Sequence, residues 1–304
     1  MMHFWQRMMA TMLLGLGLIT AFVFFIGRVL PEEDEIIFSS HHGYGIHQMA
    51  LTRGLVAPLI QTKSSVIQPD WSPDGQHLAY VDNASSQMIL YIADMDNQNK
   101  QQLTALPSSS DYDPKWSPDG RFIAYSTSTT YPGQAPIIAL TLFDTQTQTK
   151  RILVTTNIFR EHMLYWSPDG TQIAFVLYSQ ERLNSDIYSI DVKSGAIRTL
   201  VSTPNNDEYP VWSPDGTQIA FMGGGSQRGV YVLSLITQQT SLLYKISGVL
   251  YPSDWTQDSR FILLSSAYNT YKLDVVACLQ SPKTCTPELL IQGGGDARRK
   301  PHRP

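Results

Sequence analysis

The chain has 304 residues, of which 42% are hydrophobic and 16% charged: enough apolar material for a buried core, and no composition that signals general disorder. Its formal charge of -4 is unevenly spread, with +2 on residues 1–30, +3 on 293–304 and therefore -9 on 31–292. A body this acidic argues against nucleic acid as a partner, because phosphate contact needs a positive face.

From Met8 to Gly27 the sequence reads MMATMLLGLGLITAFVFFIG, twenty residues without a charge. As a helix this run spans roughly 30 Å, the hydrocarbon thickness of a bilayer. Arg7 precedes it and PEEDE follows Arg28, so the basic-side preference puts the N-terminus in the cytoplasm and the body outside. Residues 1–30 are thus expected to be a single-pass membrane anchor, with the body periplasmic or extracellular. No small-x-small site follows the run, which favours an uncleaved anchor over a cleaved signal peptide.

The next 250 residues repeat themselves. WSPDG stands at 71–75, 116–120, 166–170 and 212–216, with a worn copy, WTQDS, at 255–259. Trp71, Trp116, Trp166, Trp212 and Trp255 are 45, 50, 46 and 43 residues apart, the length of a unit of four strands. In residues 112–155, KW ends one strand, and SPDG supplies a proline for a type I turn and a glycine for positive φ. RFIAYST, IIALTLFD and KRILVT then read as second, third and fourth strands. Second strands recur as HLAYVD, FIAYST, QIAFVL, QIAFMG and FILLSS, and a sixth, IIFSS at 36–40, precedes every tryptophan. Third strands include IHQMAL and YKLDVV, and fourth strands VAPLIQ and PELLIQ.

The expected fold is therefore all-β, a six-bladed β-propeller over residues 31–292 behind an N-terminal transmembrane helix. Only PEEDE and the anchor precede IIFSS, so the first blade is expected to lack its inner strand. The five tryptophans are expected to pack between blades. Asp74, Asp119, Asp169, Asp215 and Asp258 sit where a corner carboxylate accepts backbone amides, a simpler role than a ring of catalytic acids.

The pattern P-x-W-S-P-D-G with an I-A-[FY] strand behind it, as in YPVWSPDGTQIAF at 209–221, resembles the WD-like repeat of TolB-type six-bladed propellers. Similar repeats occur in the propellers of prolyl-oligopeptidase-family enzymes. The resemblance covers about residues 36–292 and implies a propeller that binds proteins or peptides at one end. TolB proteins also carry an N-terminal α/β domain, where this chain has its expected anchor.

No sequence signal for catalysis is strong. The nearest approach to a nucleophile elbow, GGGSQRG at 223–229, has Arg228 where the last glycine belongs. Zinc-helix, phosphate-loop and dinucleotide motifs are absent from the sequence, and no cofactor is expected. His41, His42 and His47 lie within seven residues in the loop after IIFSS, and read either as ligands for a divalent ion or as a polar loop. They are the basis of an alternative function, a lyase or lactonase acting on a small ester or saccharide.

The mouth opposite the SPDG corners collects longer, more varied loops, and loops on a rigid scaffold often carry function. Asp111, Tyr112, Asp113, Arg160, Glu161, Asp207, Glu208 and Tyr209 form the candidate binding face, read against ordinary solvated loops. The expected partner is an envelope protein or peptide with basic or hydrogen-bond-donating groups. Cys278 and Cys285 enclose LQSPKT; in an exported body they are expected to bridge, the alternative being two unrelated thiols. The last twelve residues, GGGDARRKPHRP, read as a flexible basic tail, either solvated or touching an anionic polymer or lipid.

Overall fold

The described residues form six antiparallel sheets of four strands; in five the strand bearing the tryptophan motif lies at one edge, in the sixth the C-terminal strand does, and these edges meet around a central axis. The computed structural model describes residues 35–40, 45–50, 56–62, 64–83, 87–94, 99–104, 108–156, 163–179, 181–266, 269–282, 284–292 and 294–300. The expected anchor, His41, His42, Arg160 and Glu161 lie outside these residues. Among the described residues no helix is long and apolar enough to cross a membrane.

Blade one contains β1 (Glu35–Ser40), β2 (Gly45–Ala50) and β3 (Val56–Gln61). Blade two runs β4 (Val66–Trp71), β5 (His77–Asp82), β6 (Ile89–Asp94) and β7 (Gln101–Gln102). Blade three runs β8 (Ser109–Trp116), β9 (Phe122–Thr129), β10 (Ile137–Asp144) and β11 (Thr149–Thr156). Blade four runs β12 (Tyr165–Trp166), β13 (Gln172–Ser179), β14 (Asn184–Asp191) and β15 (Ile197–Val201). Blade five runs β16 (Asp207–Trp212), β17 (Gln218–Gly223), β18 (Gly229–Ser234) and β19 (Thr240–Lys245). Blade six runs β20 (Tyr251–Trp255), β21 (Phe261–Ser265), β22 (Asn269–Asp274) and β23 (Glu288–Gln292).

Two expectations are corrected by β24 (Gly294–Arg299), which pairs antiparallel with the inner side of β1. Blade one therefore has four strands, and the basic C-terminal stretch is not a structureless tail up to Arg299. GGDARR shows no apolar alternation, so its own composition gives no strand signal. What demands a partner is β1, whose Ile36, Ile37 and Phe38 are buried and whose inner backbone edge needs hydrogen bonds. Ala297 joins the core beside Ile36 and Phe38, and Lys300 N donates to Glu35 O.

The corners explain the repeated motif. Ser72 Oγ donates to Asp74, the Gln76 amide donates to Asp74 and the His77 amide donates to Ser72 Oγ, all within 3.0 Å. The same set recurs at Asp119, Asp169, Asp215 and Asp258. Partial burial opposes ionisation of Asp74, Asp169 and Asp215, but the serine and backbone donors outweigh it and hold these carboxyls below the usual range. Gly216 has φ of 72°, and a Cβ there would stand 3.3 Å from Pro168 of the preceding corner. Gly120 and Gly170 face Pro73 and Pro118 in the same way, so the corners form a collar. At Gly75 the neighbour is Lys300, which fills the place of a proline that blade one lacks.

Trp71, Trp166, Trp212 and Trp255 are buried and Trp116 is half-buried. Trp166 Nε1 donates to Lys115 O at 3.0 Å and Trp255 Nε1 to Val211 O at 3.1 Å, each linking one inner strand to the preceding blade. The YKLDVV reading is also corrected, because the strand stops at Asp274 and Val275–Gln280 form a short helix, α1. Asp274 Oδ1 accepts the Ala277 amide at 3.0 Å, an N-cap that turns the chain. Cys278 in α1 and Cys285 form the expected disulfide, with Cα atoms 4.9 Å apart.

Candidate functional site: a funnel at the corner mouth

Each inner strand with a long ladder bulges just before its tryptophan. The register shifts between Ile67 and Asp70, Tyr112 and Lys115, Glu208 and Val211, and Pro252 and Asp254. Gln68, Asp113 and Tyr209 take left-handed φ values of 55°, 51° and 55° at these bulges. A bulge bends the strand and re-aims the side chains beside it.

The residue before each tryptophan consequently forms a ring, one per blade. Ile36 lies opposite Arg299 as Leu78 lies opposite Trp71, so Arg299 holds the tryptophan position of blade one and Arg298 the position before it. From blade six onward around the axis the ring reads Asp254, Arg298, Asp70, Lys115, Tyr165 and Val211. Four consecutive members alternate in sign.

This ring is closed by bonds across it and along it. Tyr165 of blade four donates its hydroxyl to Asp254 of blade six, skipping blade five. Lys115 Nζ donates to Asp113, and Arg298 of blade one lies 3.8 Å from the same carboxylate. Asp70 accepts the Trp116 amide at 2.8 Å, and Asp254 accepts the Arg299 amide at 2.8 Å, the same inter-blade bond in two places.

Burial sets the protonation of these groups. At Asp70 water-poor surroundings outweigh the attraction of Lys115 and Arg298 and push the carboxyl up to about 6. Burial also opposes ionisation of Asp113, but Lys115, Arg298 and the Leu164 amide prevail and lower its pKa. Burial lowers the Lys115 pKa against the pull of Asp113. The Tyr165 hydroxyl is pushed well up by burial and by the Asp254 charge, which keeps it a donor.

Above this floor opens a cavity of about 1290 Å³ on the corner side of the body. Asp70, Lys115, Tyr165, Asp254 and Arg299 line its base, and Trp71, Trp116, Trp166 and the corner prolines Pro73, Pro118, Pro168 and Pro214 line its wall. It extends over the seam of blades two and three to His77, Asp94 and Lys100. His77 Nε2 lies 3.4 Å from Asp94, and Lys100 Nζ pairs with Asp82 at 3.0 Å. Aromatic walls, both signs of charge and a volume above the usual small-molecule range of roughly 300–1,000 Å³ suit a peptide-like ligand with its own donors and acceptors. Among the described residues no three His, Cys, Asp or Glu side chains stand together as a metal site.

Residues 83–293 match the profile of the TolB beta propeller domain. The chain belongs to that family. A search of curated protein sequences gave no match. Among solved structures, TolB from Acinetobacter baumannii superposes with a TM-score of 0.65 at 17% identity, over 90% of this chain and 68% of that one. Putative TolB from Agrobacterium tumefaciens gives 0.64 at 18% identity, over 88% and 96%. An oligogalacturonate lyase in complex with manganese gives 0.55 at 13%, over 85% and 72%. At these identities the family's structural relatives share the fold.

The residues singled out in the sequence fall in different places. Asp111, Asp113 and Asp207 are at most 3% exposed. Asp111 accepts from Thr127 Oγ1 at 2.6 Å, and Asp207 from the Thr203 amide and hydroxyl at 2.8 and 3.1 Å. Burial raises both carboxyls against these donors. They fasten the entries of inner strands. Asp113 and Tyr209 occupy the bulges, and Tyr209 stacks on Tyr251 with ring centroids 4.3 Å apart. Tyr112 and Glu208 are half-buried at the opposite mouth. Of the histidines only His47 is described: it is half-buried, stacked on Phe38 at 5.7 Å, and burial lowers its pKa.

The ring itself was missed by sequence reasoning, although a signal for it exists. The residue before each tryptophan is a variable letter of the repeat, and Asp70, Lys115 and Asp254 put charge into inner strands where apolar residues are expected.

Proposed function

We propose that this chain is a membrane-anchored, extracytoplasmic β-propeller that acts as a non-enzymatic scaffold, holding a protein or peptide of the cell envelope in the funnel at the corner mouth. The observation that carries this reading is the funnel: a 1290 Å³ cavity with aromatic walls and a base that carries both signs of charge, from Asp70, Asp254, Lys115 and Arg299. An extended segment or loop of a partner presents backbone donors and acceptors that both signs of charge can meet. The family supports a protein partner, since TolB-type propellers act by binding envelope proteins. The uncharged run 8–27 supports the anchor, and the Cys278–Cys285 bridge supports an oxidising compartment for the body.

Site-specific photocrosslinking in intact envelopes tests the reading. A photoreactive residue at Gln148 or Gln257 on the funnel rim should yield a discrete crosslinked partner, and one at Glu208 on the opposite mouth should not. A partner captured from Glu208 alone would move the site to the other mouth. Metal-dependent turnover of a small ester or uronide, lost when His41, His42 and His47 are replaced, would replace the scaffold reading with the enzyme reading.

A further inference from the structure

The strand that closes the ring differs from the other inner strands in how it is held. Its grip is polar: Ala297 N donates to Ser265 Oγ at 3.1 Å, Arg299 N to Asp254 at 2.8 Å, and Lys300 Nζ to Glu35 at 2.6 Å. Arg298 donates to Ser253 O and reaches Asp113. No tryptophan anchors it, and the apolar residue it buries is the small Ala297. Its ladder to β1 carries a register shift between Ile37 and Ser39, as the ladders of four other inner strands do.

Its tether is short. A single residue separates the end of β23 at Gln292 from the start of β24 at Gly294, whereas four residues (62–65) to eight (157–164) join outer to inner strands elsewhere. The strand therefore occupies a slot in a sheet made by residues far away in sequence. The bottom of that slot is the buried β1, and its acceptors are the carboxylates of Glu35, Asp113 and Asp254.

We propose that this slot is a strand-exchange site, in which an extended basic segment of a partner protein, a small residue followed by consecutive arginines or lysines, displaces Gly294–Lys300 and pairs with β1. Adding a strand to an exposed sheet edge gives affinity through backbone bonds and specificity through alternate side chains. Here the side-chain requirement is cationic, because departure of the native strand removes Arg298 and Lys300 from Asp113 and Glu35. A neutral or acidic strand would leave Asp113 with Lys115 alone and the half-buried Glu35 without its cation, a smaller compensation than the native strand gives. The site is separate from the funnel reading, and either can fail without the other.

The probe is a fluorescent peptide of residues 294–300, added to the full chain. Ser39 and Gly295 face each other in the ladder, so the pair Ser39→Cys, Gly295→Cys forms a staple that locks the native strand when oxidised. Saturable peptide binding to the wild type and the reduced double variant, weakened at least tenfold by oxidation, supports exchange; wild type under both conditions controls for Cys278–Cys285. Arg298→Ala, which loosens the native strand, should strengthen peptide binding about tenfold, and a peptide with glutamates for both arginines should not bind. The proposal is overturned by an absence of saturable binding to both wild type and Arg298→Ala at millimolar peptide. Equal binding to the stapled chain also overturns it, as does exchange that occurs only between two copies and appears as a dimer in size-exclusion chromatography.

Discussion

Trp255 at the inner edge of blade six is fully buried and donates its indole N–H to Val211 O of blade five. At the equivalent place in blade one stands Arg299, partly exposed, whose Nε donates to Trp255 O at 3.2 Å. The position has one task in both blades, to reach the inner-strand backbone of the preceding blade. Trp255 adds a large apolar area to that bond, whereas Arg299 adds charge and leaves part of its side chain in water. The motif tryptophans thus bring apolar packing to their seams, with proline–glycine contacts at three of them, whereas the seam of blades six and one is closed by a polar latch and at the seam of blades one and two Lys300 takes the proline's place.

Substitution at the matched positions breaks this comparison most sharply. Trp255→Ala should cost about 3–5 kcal/mol by the usual cost of truncating a buried aromatic, while Arg299→Ala should cost about 1 kcal/mol, a lost hydrogen bond at a partly exposed site. Denaturant titration of both variants measures the difference, and equal losses would mean that the two seams are not distinct in kind.

Removing the disulfide tests whether blade six depends on more than its seam. The double change Cys278→Ser, Cys285→Ser should cost about 2–3 kcal/mol, from the entropy of closing a loop of seven-residue separation. Hydrogen exchange should show the loosening confined to α1 and β23, without loss at β20.

The collar responds to a smaller change. Gly216→Ala places a side chain at φ of 72° and 3.3 Å from Pro168, at a cost of about 1–2 kcal/mol. Thermal melting should register it, and a neutral result would mean that the corner tolerates a Cβ and that the Pro–Gly contact is incidental.

Asp70 gives the smallest effect and a pH signature. Its folded pKa is raised to about 6, so the folded state holds the proton more tightly, and stability falls as pH climbs from the unfolded value of about 3.9 through 6. Asp70→Asn keeps an acceptor for the Trp116 amide and removes that penalty. It should be more stable than the wild type at pH 7.5, by well under the roughly 3 kcal/mol that a carboxyl raised to about 6 implies. The half-buried site is screened, and Asn gives up the attraction of Lys115 and Arg298. The advantage should vanish near pH 4. Asp113 works in the opposite sense, since its lowered pKa gives stability that is lost as pH falls below the ordinary carboxylate range.

These contrasts follow what the sequence made legible. HLAYVD, QIAFMG and VAPLIQ are strands over the same residues in the structure, because alternation and the SPDG turn agree on one register. The strand GGDARR was not legible, since its pairing is imposed by the open edge of β1 and not by its own composition. Val275 and Val276 looked like the end of a strand, yet the Asp274 cap made them a helix. Asp111 and Asp207 resembled exposed binding carboxylates, and only burial against Thr127 and Thr203 reveals their fastening role.

The polar closure of the ring is tested most directly by hydrogen–deuterium exchange on the full chain and on a chain ending at Gln292, comparing β1 of blade one with β17 of blade five. If Gly294–Arg299 closes blade one, amides of Glu35–Ser40 lose at least tenfold more protection on truncation than those of Gln218–Gly223. Unchanged protection of Glu35–Ser40 in the shortened chain would contradict the account.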